Sequence, residues 1–219
     1  MPITEFLERN ARLYPDETAL VEINPATQPD AQISWREYSL VCAGSGEKYR
    51  VEMTWRQFDD KANRVANLLL TRGVKKGDKV AILLMNCLDW LPIYFGILKT
   101  GALAVPMNYR FSADEIVYCS DLSDTSVLFF GPEFVSRIDA VKDQLTCIHD
   151  LIFVGKDEER PAYAIPFSYS SYCSSRVPAI QISDDDYGAI YFSSGTTGFP
   201  KAILHAHRAL VHSAKVEQN

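Results

Sequence analysis

Residues 79–154 alternate between short apolar runs and amphipathic segments, and this alternation limits the fold more than any other feature. The apolar runs are predicted strands, namely Lys79–Leu84, Ala102–Pro106, Ser126–Phe130 and Leu151–Val154. The segments between them are predicted helices, namely Asp89–Lys99, one starting at the Ser112-x-x-Glu115 capping box and one starting at Pro132. Apolar strands separated by amphipathic helices are typical of a parallel sheet covered on both faces. We therefore predict an α/β fold with a doubly wound, mostly parallel sheet flanked by helices.

The flanking regions have weaker periodic signals. A helix is predicted over Thr4–Tyr14 and a strand over Thr18–Ile23. Asn24–Val51 contains Pro and Gly without regularly spaced apolar residues, so it is predicted to be an insertion-like loop. Asp157–Asp186 is rich in Ser, Pro and Tyr, and only a short helix near Ser168–Ser175 is predicted within it. Neither irregular segment has a pattern that indicates chemistry.

Two short sequences share a template of a hydroxyl residue, Trp, Arg, an acid or amide, and an aromatic residue. They are Ser34–Tyr38 and Thr54–Phe58. Both fit a capping box, in which the hydroxyl caps a helix and the residue three positions later reaches back. Only the second precedes a periodic segment, so a helix is predicted over Arg56–Arg72, with Gly73 as its left-handed stop.

Composition limits the class of protein further. The chain has 219 residues, of which 47% are hydrophobic, and this is enough for one well-buried core. There are 22 basic and 28 acidic residues, giving a net charge of −6 without long blocks of either sign, which argues against nucleic acid and anionic membranes as partners. The five cysteines form no Cys-x-x-Cys pair, and no signal peptide or integral membrane segment is predicted. We expect a reduced, cytoplasmic protein.

A candidate anion-binding loop follows the strand predicted over Ala189–Phe192. Its sequence is Ser193-Ser-Gly-Thr-Thr-Gly-Phe-Pro-Lys201. Gly195 and Gly198 permit positive φ angles and close approach of the backbone to an anion. The backbone N–H groups and the hydroxyls donate hydrogen bonds, and Lys201 adds a positive charge. The hydroxyl residues are Ser193, Ser194, Thr196 and Thr197. This pattern predicts a phosphate-binding loop.

Two alternatives for this loop are a flexible Ser/Gly connection without function and the Walker A loop of a kinase or NTPase. A Walker A loop places its Lys directly after the second Gly. Here Phe199 and Pro200 separate Gly198 from Lys201, which argues against the P-loop class.

The sequence Ser193–Lys201 resembles the signature of the adenylate-forming (AMP-binding) superfamily, which includes acyl-CoA synthetases, luciferases and peptide-synthetase adenylation domains. Upstream segments resemble the family in the same order, and they are Thr54–Phe58, Gly77–Val80 and Leu98–Asn108. Val105–Asn108 followed by Ser112–Ile116 looks more like acyl-CoA synthetases, because peptide-synthetase domains usually have Asp in place of Asn108. An acyl-CoA synthetase is therefore favoured, and a peptide-synthetase adenylation domain is the alternative.

The resemblance implies a two-step reaction. A carboxylic acid attacks the α-phosphorus of Mg·ATP and releases pyrophosphate, and a thiol, commonly that of CoA, then attacks the acyl-adenylate. The residues that would bind the β- and γ-phosphates are Ser193, Ser194, Gly195, Thr196, Thr197, Gly198 and Lys201, and Lys201 would also act in catalysis. The implied partners are ATP, the acid and CoA, with Mg²⁺ held mostly by residues that the family carries further along its chain.

The resemblance also implies that residues 1–219 are a partial AMP-binding domain. Its parts would be an insertion-like loop at 24–51, an alternating core at 79–154 and a phosphate-binding strand-loop-strand at 189–205. The C-terminal part and the hinged domain of the family are expected to be absent, so we expect the chain alone not to be fully active. The alternative is a non-catalytic remnant that binds nucleotide or is completed by a second polypeptide supplying the C-terminal part.

Three histidines near the loop, His205, His207 and His212, raise the question of a metal site. No Cys, Asp or Glu lies close to them in sequence, so no metal site is predicted. His207 stands where the resembled family often has a histidine after its lysine, and His205 and His212 are expected to face solvent or bond locally.

Overall fold

The computed structural model describes residues 1–23, 50–193 and 200–217. The helices are α1 (Ile3–Leu13), α2 (Trp55–Thr71), α3 (Trp90–Lys99), α4 (Ala113–Ser123), α5 (Val135–Val141) and α6 (His207–Glu217). The strands are β1 (Thr18–Ile23), β2 (Arg50–Thr54), β3 (Lys79–Leu83), β4 (Leu103–Pro106), β5 (Thr125–Phe130), β6 (Asp150–Phe153), β7 (Ile165–Pro166), β8 (Tyr187–Ser193) and β9 (Lys201–Ala206). Short 3-10 helices cover Pro132–Phe134, Lys142–Gln144, Asp157–Glu159 and Phe167–Tyr172.

The main sheet has seven strands in the order β7-β6-β5-β3-β4-β8-β9. All neighbouring pairs are parallel except β8 and β9, which are antiparallel. Strands β1 and β2 form a separate antiparallel pair. The predicted mostly parallel sheet is therefore confirmed.

Helices cover both faces of this sheet. Apolar residues of α2 and α3 pack on one face, and those of α4 and α5 pack on the other. Consecutive strand residues such as Ile82 and Leu83 are each 0% exposed, although their side chains point to opposite faces. This two-sided burial explains why the central strands are continuous apolar runs, and it confirms the doubly wound arrangement.

Local capping signals fix the helix ends as predicted. The Thr54 hydroxyl accepts a hydrogen bond from the Gln57 N–H, and the Gln57 side chain accepts one from the Thr54 N–H. Ser112 and Glu115 form the same reciprocal pair at the start of α4. Gly73 has a φ of 86°, the left-handed conformation expected after α2.

Three predictions at the edges of elements need correction. The loop predicted for Asn24–Val51 extends too far, because Arg50 and Val51 belong to β2. Strand β7 was not predicted within Asp157–Asp186, and the helix near Ser168–Ser175 is instead the 3-10 helix Phe167–Tyr172. The capping pattern at Ser34 lies outside the described residues.

Candidate functional site

The predicted phosphate-binding loop joins two paired strands. Ser193 ends β8 and Lys201 begins β9, and these two residues are direct cross-strand partners. Both are exposed. The predicted site residues Ser194, Gly195, Thr196, Thr197 and Gly198 lie outside the described residues. The structure therefore brings together the two ends of the predicted site.

Strand β8 reaches the edge of the sheet where ligands bind in open α/β folds. It runs parallel to β4, with Ala189 opposite Ala104, so Ser193 lies at the carboxyl edge of the sheet. In such sheets, ligands occupy the crevice outside the carboxyl ends of the strands. Ser193 and Lys201 thus lie at the edge where ligands bind in this class of sheet.

One face of the β8–β9 hairpin is tied to α3 by tyrosines. The hydroxyl oxygens of Tyr94 in α3 and Tyr191 in β8 are 2.8 Å apart and share a hydrogen bond. Burial is the main reason that the pKa of each tyrosine is raised, so both hydroxyls keep their protons. His205 of β9 packs edge-on against the Tyr191 ring, with 5.2 Å between ring centroids. Because side chains alternate along a strand, Ser193 and its partner Lys201 lie on this same face.

The opposite face of the hairpin packs on the segment that follows β4. The rings of Phe192 and Phe111 meet edge-on, with 6.1 Å between their centroids. The Arg137 guanidinium donates hydrogen bonds to the carbonyls of Tyr109 and Phe111, at 2.6 and 2.9 Å. The strand that leads to Ser193 is thus held from both sides.

The three histidines differ in their surroundings. His205 is half-buried against Tyr191, and His212 is exposed on α6. His207 is fully buried, and neither of its ring nitrogens has a hydrogen-bond partner among the described residues. Its ring packs on Gly188, where an added Cβ would lie 3.2 Å from Nε2. Burial lowers the pKa of His207, so the ring is neutral near neutral pH.

The described residues contain no group of three or more His, Cys, Asp or Glu side chains able to hold a metal ion.

Sequence reasoning missed the residues that support the hairpin from other elements. Tyr94 belongs to the apolar pattern of α3, and Arg137 lies in a helix predicted only from its apolar face. No motif distinguishes either residue, and their roles depend on long-range packing. The sequence offers one weak signal for Tyr94 and Tyr191, because each places a hydroxyl group within an apolar run. A buried hydroxyl group needs a hydrogen-bond partner.

No helix in the described ranges is long and apolar enough to cross a membrane.

Comparison with known proteins gives consistent matches. The chain is 35% identical over 167 residues to the long-chain-fatty-acid–CoA ligase FadD13 of Mycobacterium tuberculosis. The aligned region covers 75% of this chain and 31% of the relative. It is 28% identical over 191 residues to the 3-hydroxybenzoate–CoA/4-hydroxybenzoate–CoA ligase of Thauera aromatica, covering 87% of this chain and 35% of the relative. The chain thus spans about a third of the length of these curated relatives.

A solved structure shares the fold over nearly the whole chain. The anthranilate CoA ligase AuaEII, in complex with anthranoyl-AMP, superposes with a TM-score of 0.81 at 28% identity, over 98% of this chain and 36% of that one. The family model described as "AMP-binding enzyme" matches residues 7–218, which include both strands of the hairpin and the sequence between them. The chain therefore belongs to the family of AMP-binding enzymes.

Proposed function

We propose that this chain is the N-terminal segment of an ATP-dependent ligase that activates carboxylic acids, an AMP-forming acyl-CoA synthetase. The observation that carries the proposal is the pairing of Ser193 with Lys201, which closes the Ser/Thr/Gly-rich sequence at the carboxyl edge of the sheet. The relatives support the reaction class, since those compared are named as CoA ligases of fatty and aromatic acids.

In the proposed site, residues 193–201 bind the β- and γ-phosphates of ATP. The Lys201 ammonium group interacts with the phosphate charge and stabilises the negative charge that develops on the leaving pyrophosphate. Gly195 and Gly198 let the backbone N–H groups approach the phosphates. The hydroxyl donors are Ser193, Ser194, Thr196 and Thr197.

The proposed reaction has two steps at one site. A carboxylate oxygen of the acid attacks the α-phosphorus, forming an acyl-adenylate and releasing pyrophosphate. The thiol of CoA then attacks the acyl carbon and releases AMP. Mg²⁺ would accompany ATP and would be held mostly by residues that the family carries further along its chain. Because the chain spans about a third of its curated relatives, we expect little acid-dependent pyrophosphate exchange from the 219-residue protein alone.

The proposal predicts that ATP binding depends on Lys201. Lys201→Ala removes the one lysine in the loop, so ATP affinity should fall by about tenfold or more, the size of a charge-assisted contact. Isothermal titration with Mg·ATP measures the two dissociation constants. Lys156→Ala, which removes an exposed lysine between β6 and β7, is the matched control and should bind like the unchanged protein. Equal affinity of all three proteins would contradict the proposed site.

The acid that this ligase uses is proposed only by class. The two relatives are named as ligases of long-chain fatty acids and of hydroxybenzoates, and the solved structure is that of an anthranilate CoA ligase. Both fatty and aromatic acids are therefore candidates. Amino acids would be the substrates if the chain belonged to a peptide synthetase. Trapping of acyl-adenylates with hydroxylamine, by a full-length protein that contains this chain, separates the classes. Activity with amino acids alone would overturn the acyl-CoA proposal.

A non-catalytic remnant completed by a second polypeptide is the second candidate, and the exposed edge of the sheet favours it. Strand β9 has no neighbour beyond it among the described residues, and Ile203 and Leu204 are 45% and 46% exposed on its two faces. Such an edge suits pairing with a further strand. The intact mass in the native source is the test. A species at 24.6 kDa would favour this candidate, and a much heavier one would rule it out.

We further propose a cytoplasmic location. The described cysteines are free thiols, the state that a reducing compartment maintains, and they are Cys87, Cys119, Cys147 and Cys173. Recovery of the native protein outside the cytoplasmic fraction of its source cells would contradict this proposal.

A further inference from the structure

The hydrogen bond between Tyr94 and Tyr191 joins the hairpin to the body of the domain. Tyr94 is 6% exposed and stacks on Trp90 within α3, with 5.5 Å between ring centroids and 14° between ring planes. Its hydroxyl meets that of Tyr191 at 2.8 Å. Because Tyr94 is buried, its hydroxyl keeps this hydrogen-bond partner only when both rings keep their places. The contact therefore fixes the distance between α3 and β8.

Tyr191 passes this restraint to the proposed site. It lies two residues before Ser193 on the same face of β8, and its direct partner on β9 is Ile203, two residues after Lys201. His205 of β9 packs on the same tyrosine ring. A shift of Tyr191 would thus move Ser193 and Lys201 together.

We infer that Tyr94 is a positioning residue, which acts through Tyr191 to hold Ser193 and Lys201 in the arrangement that binds a triphosphate. This inference rests on the proposed function. Without the hydroxyl contact, the hairpin spends part of its time in arrangements that do not bind phosphate. The apparent affinity is then the intrinsic affinity multiplied by the fraction of molecules that remain competent.

The inference is tested with Tyr94→Phe, Tyr191→Phe and the double variant, each titrated with Mg·ATP, inorganic tripolyphosphate and AMP. We expect each single variant to bind ATP and tripolyphosphate about three- to tenfold more weakly, the factor that one hydrogen bond supplies. The double variant should be no weaker than the poorer single variant, because both changes remove one contact. AMP affinity should be unchanged, since AMP lacks the β- and γ-phosphates.

Two controls separate positioning from general loss of structure. Tyr172→Phe removes a hydroxyl from a tyrosine that is 87% exposed, and it should leave all three affinities unchanged. Ile97→Val lowers stability within α3 without touching the hydroxyl pair, and well below its melting temperature it should bind like the unchanged protein.

The outcomes distinguish this inference from the function on which it rests. Tyrosine variants that bind tripolyphosphate like the unchanged protein, while Lys201→Ala binds it weakly, would overturn the inference alone. Equal weakening for AMP and tripolyphosphate, or additive losses in the double variant, would also overturn it. Absence of Lys201-dependent triphosphate binding in the unchanged protein would overturn the proposed function and this inference together.

Discussion

At the scale of single residues, two buried polar side chains differ in whether they have a partner. Lys99 has a side chain that is 1% exposed, and its ammonium group pairs with Glu8 of α1 at 2.9 Å and with Asp59 of α2 at 2.8 Å. His207 is buried without a hydrogen-bond partner among the described residues. The lysine therefore stabilises the packing of three helices only while it is charged and paired, and the histidine is accommodated only while it is neutral.

Removing the charge of Lys99 should destabilise the fold. Lys99→Met leaves the largely buried Asp59 carboxylate without its cation. We expect the free energy of unfolding to fall by about 2–4 kcal/mol. This is less than for breaking a fully buried ion pair, because Glu8, the second partner of Lys99, is partly solvated. Urea denaturation gives the change in the free energy of unfolding. Arg208→Ala, which breaks an ion pair whose partners are each 71% exposed, is the control and should cost about 1 kcal/mol or less. Similar losses for both variants would contradict this account.

His207 should make stability depend on pH on the acid side of neutrality. Its pKa is lowered in the folded protein, mainly by burial and further by Lys76, while Asp186 acts in the opposite direction. An unfolded histidine gains its proton near pH 6.5, whereas the folded one stays neutral to lower pH. Since the unfolded state then binds more protons, the free energy of unfolding should fall as the pH drops below about 6.5.

Thermal melts between pH 7.5 and 5, in steps of about half a unit, measure this dependence. His207→Met should flatten the slope, because it removes the titrating ring. His212→Gln changes an exposed histidine on the same helix and should keep the slope. An unchanged slope in His207→Met would show that other groups cause the acid sensitivity.

At the scale of elements, the predictable parts of the fold are those set by local physics. The central strands were predicted because both of their faces are buried, and α2 and α4 because their capping boxes are complete in the sequence. Arg50 and Val51 are both exposed, so this end of β2 has no apolar signal in the sequence and the loop prediction extends over it. Strand β7 has only two residues, one of them Pro166, and it forms through pairing with β6. Short edge strands of this kind depend on partners that a sequence does not reveal.

The same difference between local signals and long-range contacts applies to the candidate site. Its proposed phosphate-binding sequence could be predicted from the spacing of Ser, Thr, Gly and Lys, because each residue type has a separate function toward an anion. The supports around it could not be recognised. Tyr94 and Arg137 act on the hairpin across distant parts of the chain, and no local pattern distinguishes them from residues of the core.

At the scale of the whole molecule, residues 167–186 form a crossing segment that leads from β7, at one edge of the sheet, back to β8. Side chains near the end of α2 hold it. Arg64 donates hydrogen bonds to the carbonyls of Ser171 and Cys173, and Asn67 donates to those of Ser174 and Arg176. The segment ends just before β8, so these contacts bring the hairpin strand to its place beside β4.

The lysine that follows α2 completes this anchoring. Lys76 donates to the Gln181 carbonyl at 3.0 Å and pairs with Asp186 at 2.6 Å, immediately before β8 begins. Asp186 also accepts, through its carbonyl, the N–H of His207 at the start of α6. The crossing segment and α6 thus meet at the base of the hairpin, at the end opposite Ser193 and Lys201.

Hydrogen–deuterium exchange with and without Mg·ATP tests the proposal that residues 193–201 bind the phosphates of ATP. We predict slower exchange in peptides covering residues 193–201 when Mg·ATP is present, no such change in the Lys201→Ala protein, and no change in peptides of β6 and β7. Slower exchange elsewhere in the chain without any change in 193–201 would contradict the claim.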